Sequence, residues 1–108
     1  MMPAIYQPLN SIEKLDALIA ESHSTPVFIF KHSNTCGISA DIHEQLDGVD
    51  GIVNVLVVQE DRAVSNATAE RLGIRHASPQ AFVLRDGKVV YHATHYGIDP
   101  HEIAKHLK

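Results

Sequence analysis

The sequence predicts an α/β fold in which helices flank a four-stranded mixed sheet. Two apolar, β-branched segments at residues 27–31 and 52–58 have the composition of buried strands, and a helical pattern separates them. A strand, a helix and a second strand in this order form a right-handed parallel crossover. Residues 85–88, Arg-Asp-Gly-Lys, are a strong signal for a hairpin between two further strands. The 108 residues are expected to form one domain, residues 1–108.

Local patterns place eight elements in the order helix, strand, helix, strand, helix, strand, strand, helix. An Asn10-x-x-Glu13 arrangement can cap the first helix, and Asp99 followed by Pro100 caps the last. Gly73 ends the third helix. The predicted bounds in chain order are residues 11–22, 27–31, 37–48, 52–58, 61–72, 81–84, 89–93 and 100–107. A parallel crossover followed by a hairpin and a packing helix is the thioredoxin-like arrangement.

Composition narrows the possible partners. The formal net charge is -4 and no cluster of Lys and Arg occurs, which argues against nucleic acid and against an anionic membrane surface as partners. The first ten residues lack the basic and apolar regions of a signal peptide, and no apolar run approaches the roughly 20 residues of a membrane span. We therefore expect a cytoplasmic protein. Its single cysteine, Cys36, excludes an internal disulfide.

Cys36 lies where the first predicted strand turns into a helix. The unpaired N–H groups and the positive dipole end of a helix N-terminus favour thiolate over thiol, and the thiolate is the nucleophilic form. Cys36-Gly37-Ile38-Ser39 has the spacing of a Cys-x-x-Cys redox motif whose second sulfur is replaced by a hydroxyl. Such a site can attack a disulfide, but any resolving thiol must come from outside the chain.

Ordinary structural interpretations remain open for these residues. Cys36 can be a buried, unreactive thiol, and Ser39 can be a capping serine. Pro79 precedes the third strand, where thioredoxin-like folds hold a cis proline against the active cysteine, but it can also be an ordinary trans proline. The eight histidines show no metal-ligand spacing, so no metal site is predicted.

Four stretches together resemble the monothiol bacilliredoxins of the YtxJ-like type. They are residues 30–36 (Phe-Lys-His-Ser-Asn-Thr-Cys), 58–66 (Val-Gln-Glu-Asp-Arg-Ala-Val-Ser-Asn), 76–80 (His-Ala-Ser-Pro-Gln) and 92–95 (His-Ala-Thr-His). The resemblance implies a thioredoxin fold that acts on mixed disulfides between protein cysteines and bacillithiol, a small thiol that some bacteria use where others use glutathione. Family members usually have Thr-Cys-Pro-x-Ser. Here Gly37 replaces the proline and keeps an N–H that can face the sulfur.

The resemblance also implies roles for individual residues. Cys36 is the expected catalytic nucleophile, which takes bacillithiol from a client protein. The residues expected to stabilise its thiolate are Thr35, Gly37, Ser39, Lys31 and His32. The residues expected to bind substrate are Ser78, Pro79 and Gln80, and more weakly Ser65, Asn66 and His95. No bound cofactor is expected. Bacillithiol is the co-substrate, the partners are S-bacillithiolated client proteins, and a small thiol or another redoxin is the reductant.

Two other functions are compatible with the sequence. A monothiol thioredoxin-like domain can bridge an iron-sulfur cluster with one cysteine and an external thiol, as some monothiol glutaredoxins do, which would colour the anaerobically purified protein. An interaction domain that keeps the fold without the activity is the other alternative, and it predicts an unreactive Cys36.

Overall fold

The computed structural model describes residues 4–108 and contains one mixed sheet with helices on both faces. The sheet order is β1-β3-β2-β4-β5, in which β1, β3 and β2 are parallel neighbours and β4 pairs antiparallel with both β2 and β5. The strands are β1 (Ile5–Pro8), β2 (Val27–His32), β3 (Ile52–Val57), β4 (Gln80–Arg85) and β5 (Lys88–Thr94). The helices are α1 (Ile12–Glu21), α2 (Gly37–Gln45), α3 (Arg62–Leu72) and α4 (Pro100–His106), with short 3-10 turns at Leu46–Gly48 and His95–Gly97.

The thioredoxin-like prediction is confirmed, but the sheet has five strands instead of four. The unpredicted strand is β1, which pairs in parallel with β3 at the sheet edge through Ile5 opposite Ile52. All four residues of β1 are exposed, and Pro8 at its end suits an edge strand. The segment therefore lacks the alternation of buried and exposed residues that marks a strand in a sequence.

Side-chain and backbone caps fix the helix ends near their predicted positions. The N-cap of α1 is Ser11 and not Asn10, because the Ser11 hydroxyl accepts the Lys14 N–H at 3.1 Å. The Asp99 carboxylate accepts the His101 N–H at 2.9 Å and caps α4, as predicted. Gly73 ends α3 with a φ of 68°, a left-handed conformation that favours glycine.

Two apolar layers pack on the two faces of the sheet. One joins Phe28 and Phe30 of β2 to Ile42 of α2 and Ile103 of α4. The other places Ile29 among residues of α1 and α3, namely Leu15, Val64 and Ala67. Because successive strand residues point to opposite faces, this alternation determines which helix each β2 side chain meets.

Strand direction brings three loops to one end of the sheet. The parallel strands β2 and β3 end there, and the antiparallel strand β4 begins there. Lys31 pairs with Gln80, so the next positions along each strand are His32 and Pro79. The loop after β2 leads to Cys36, which therefore lies at the same end of the sheet as the start of β4. Within residues 4–108, no helix has the length and apolar character needed to cross a bilayer.

Candidate active site around Cys36

Cys36 is the N-cap residue of α2, as the sequence predicts. It is partly buried and has extended backbone angles, φ -109° and ψ 120°. Its carbonyl accepts the Ala40 N–H at 3.1 Å, which is the first bond of the helix, and its own N–H donates to the Ser33 carbonyl at 3.4 Å. The sulfur thus lies at the positive end of the α2 dipole.

Ser39 braces the loop that carries the thiol. Its side chain is completely buried, and its hydroxyl oxygen accepts the Ser33 N–H at 2.9 Å. The same oxygen lies 2.8 Å from Nδ1 of His32. A serine hydroxyl has one proton and two lone pairs, so Ser39 can bond to Ser33 and to His32 at the same time. A direct bond from Ser39 to the sulfur remains a prediction.

His32 is the last residue of β2, and its side chain faces α2. Its imidazole is neutral at neutral pH. Burial lowers its pKa from the ordinary value of 6.5, and the neighbouring His43 lowers it further. The two ring centroids are 4.9 Å apart. Any stabilisation of the Cys36 thiolate by a positively charged His32 is therefore confined to acidic solution.

Gln59, which sequence reasoning assigned no role, ties the cysteine loop to the end of β3. Its side-chain amide donates to the Ser33 hydroxyl at 2.6 Å and to the Thr35 hydroxyl at 3.1 Å. Its carbonyl oxygen accepts the Asn34 N–H at 3.2 Å. Thr35 is thus held by Gln59, and its predicted bond to the sulfur is untested. The sequence signal for this role was the position of Gln59 directly after the predicted strand 52–58, at the end of the sheet that holds Cys36.

Lys31 points away from α2, toward α3. It is fully buried, and its ammonium donates to the Ser65 carbonyl at 3.0 Å and to Nδ1 of His76 at 3.2 Å. Burial lowers the pKa of Lys31 to about 8. Neighbouring β2 residues face opposite sides of the sheet, so His32 faces α2 while Lys31 faces α3. The predicted contribution of Lys31 to the stability of the thiolate stays a prediction.

The loop before β4 contains a cis peptide bond between Ser78 and Pro79. Pro79 is buried, and its carbonyl accepts the His95 N–H at 3.0 Å. Gln80 is fully buried and supports this loop, since its side chain accepts the Ala77 N–H and donates to the carbonyl of Arg75. The Gln80 side chain thus supports this loop from within, and the predicted contact of the Gln80 backbone with an extended substrate stays a prediction.

The remaining predicted site residues differ in their exposure to solvent. Ser65 is buried and bonded to Lys31, so it lies behind the surface and not on it. Asn66 and His95 are exposed, and Gly37 is exposed with open space around the position of an added Cβ. No group of three or more His, Cys, Asp or Glu side chains suited to a metal occurs among residues 4–108.

Tyr96 is an exposed aromatic residue near the thiol that sequence reasoning missed. Its hydroxyl donates to the Asp41 carboxylate at 2.9 Å, and this bond raises the pKa of Tyr96. Asp41 belongs to α2, the helix that begins at Cys36, so the phenol is held against the helix that carries the thiol. Its side chain is 63% exposed. An exposed ring next to a nucleophile is a suitable contact for a bound polypeptide.

Comparison with known proteins gives one family and one fold. The family model described as Monothiol bacilliredoxin BrxC matches residues 7–103. A solved protein with a thioredoxin fold is 32% identical, with a TM-score of 0.83 over 96% of this chain and 95% of the other. Thioredoxin from Fasciola hepatica is 16% identical, with a TM-score of 0.71 and coverage of 94% and 99%. Thioredoxin from Trypanosoma brucei brucei is 13% identical, with a TM-score of 0.73 and coverage of 95% and 88%. The last two show the fold alone.

Proposed function

The chain belongs to the monothiol bacilliredoxin family, and on that premise we propose that it is a thiol-disulfide oxidoreductase that removes bacillithiol from protein mixed disulfides. The observation that carries this proposal is a lone Cys36 at the N-terminus of α2, with a serine where a dithiol enzyme has its second cysteine. Cys36 can therefore form a mixed disulfide, but the chain cannot resolve it internally.

The proposed exchange begins when the Cys36 thiolate attacks the bacillithiol sulfur of a modified client. A bond forms between Cys36 and bacillithiol, and the bond between bacillithiol and the client breaks. The client cysteine leaves as a thiolate and takes a proton from solvent, so the client is reduced while Cys36 is oxidised. A second low-molecular-weight thiol, or the thiol of another redoxin, then attacks the Cys36 disulfide. Its sulfur bonds to the bacillithiol sulfur, the bond between bacillithiol and Cys36 breaks, and Cys36 leaves as the thiolate while bacillithiol departs in a disulfide with the attacking thiol.

The surrounding residues hold the reacting groups in place. Ser39 and Gln59 fix the loop that ends at Cys36, through the N–H groups of Ser33 and Asn34. In this proposal an extended client segment lies along the backbone at Ser78, beside Pro79. Preorganised groups of this kind lower the cost of bringing two sulfurs together in line.

The test is a turnover assay on a synthetic peptide that carries a bacillithiol mixed disulfide, with a low-molecular-weight thiol as reductant. Release of the free peptide is followed by chromatography for the wild type and for Cys36→Ser, whose folding is checked by circular dichroism. We expect catalysed release by the wild type and only the uncatalysed rate with Cys36→Ser. Equal rates for the two proteins would refute the proposal. Visible absorbance of anaerobically purified, inactive protein would favour the iron-sulfur alternative instead.

A further inference from the structure

Two cationic side chains near the cis-proline loop have no acidic partner. The salt bridges formed by residues 4–108 are Arg71 with Asp16 and Lys105 with Glu102, and neither includes Lys31 or Arg62. Lys31 is fully buried and is held only by a carbonyl oxygen and a histidine nitrogen. A buried ammonium without a carboxylate is costly, and such groups are concentrated at functional sites.

His76 connects this buried charge to the surface. An ammonium can only donate, so Nδ1 of His76 accepts from Lys31, and the imidazole proton lies on Nε2. The Ser65 hydroxyl lies 3.3 Å from the same Nδ1 and holds the ring further. Burial lowers the pKa of His76, and the nearby charges of Lys31 and Arg62 lower it further. His76 is therefore a neutral donor on an exposed side chain. Its neighbour Ser65 lies one turn after Arg62 on the same face of α3, which places the exposed Arg62 side chain on the side of the helix that His76 contacts.

The cluster lies at the end of the sheet that carries the thiol. Lys31 pairs with Gln80, the residue after Pro79, and His76 begins the short segment that leads to Pro79. Arg62 is the first residue of α3, which follows β3 at the same end. A small thiol whose sulfur is bonded to Cys36 beside Pro79 would thus extend near these donors.

We propose that Arg62 and Nε2–H of His76 bind a carboxylate of the small thiol, while Lys31 fixes the histidine tautomer from behind. The proposal rests on the function proposed above and specifies its substrate as an anionic thiol carrying a carboxylate. Guanidinium and imidazole N–H groups are the donors that recognise carboxylates in proteins. Neutral thiols would gain nothing from this subsite.

The test uses one neutral cysteine peptide as a mixed disulfide with mercaptosuccinate, which carries carboxylates, or with 2-mercaptoethanol, which is neutral. A third substrate pairs 2-mercaptoethanol with a peptide that has glutamates beside the cysteine. Rates of peptide release are measured for wild type, Arg62→Gln, Arg62→Lys and Arg71→Gln. Arg71→Gln is the matched control, since it removes the same charge from the same helix where Arg71 is paired with Asp16.

We expect Arg62→Gln to slow the mercaptosuccinate substrate by about tenfold and the neutral substrate by less than about twofold. Arg62→Lys should recover part of the loss, Arg71→Gln should resemble the wild type, and high ionic strength should weaken the effect. The proposal is overturned if Arg62→Gln slows peptide release from both disulfides equally, or slows it from neither. It is also overturned by an effect confined to the glutamate peptide, which would assign the carboxylate to the client. Failure of the wild type with every one of these substrates and also with the bacillithiol peptide of the turnover assay would refute the proposed function itself.

Discussion

At the scale of single residues, the position of Cys36 is determined by neighbours that hydrogen-bond to its loop more than by groups in contact with its sulfur. The buried hydroxyl of Ser39 satisfies the Ser33 N–H and bonds to His32. The Gln59 amide satisfies the Asn34 N–H and two hydroxyls. These bonds remove the freedom of the segment between β2 and α2. The nucleophile is thereby held at the N-terminal end of α2.

Replacing Ser39 by alanine should destabilise the protein through this loop. The variant leaves the Ser33 N–H buried without an acceptor, which typically costs about 1 to 3 kcal/mol. Urea denaturation of Ser39→Ala should show this loss in the free energy of unfolding. The matched control is Ser24→Ala, because Ser24 is exposed in the loop before β2 and should change stability by less than about 0.5 kcal/mol. Equal stabilities for the two variants would mean that Ser39 does not brace the loop.

Lys31 should make stability depend on alkaline pH. Its pKa is about 8 in the folded protein against 10.5 unfolded, so between these values the unfolded chain holds more protons. Stability from this group must then rise as pH increases through that window. Across this pH window, the free energy of unfolding of the wild type should rise by about 3 kcal/mol relative to that of Lys31→Met. Urea denaturation of both proteins across the window measures the difference, and a constant difference would show that the ammonium is not buried as described.

The residue types of the site were predictable, but several of their directions were not. The strand-to-helix pattern located Cys36 correctly at the start of α2. Lys31 and His32 are adjacent polar residues, and which of the two side chains faces α2 depends on strand register. The burial of the Gln80 side chain was not predicted, because it results from contacts made across the sheet. Such contacts leave no local pattern.

At the scale of elements, the local patterns were sufficient to predict four of the five strands, β2 to β5. Strong apolar runs, the turn at Asp86-Gly87 and the capping pattern of α4 each gave a local signal that the fold retains. Both turn residues have positive φ, 56° and 75°, as a two-residue hairpin turn requires. β1 gave no such signal, because its four exposed residues are held by backbone bonds to β3 and not by burial.

At the scale of the whole molecule, the fold and the function rest on different observations. Thioredoxins at 13% and 16% identity share the fold, so the sheet and its helices alone do not distinguish one redox substrate from another. The narrower statement comes from the family match over residues 7–103, together with one cysteine in a chain that cannot form its own disulfide. The central claim is therefore that Cys36 itself accepts the small thiol.

The most direct test of that claim is the intact mass of the protein after a single turnover without reductant. Wild type and Cys36→Ser are each mixed with an equimolar S-bacillithiolated client, and both partners are weighed by mass spectrometry. The account predicts that the wild type gains the mass of one bacillithiol while the client loses it, and that Cys36→Ser leaves the client modified. A client freed with no adduct on Cys36, or a client unchanged beside a reduced Cys36, would contradict it.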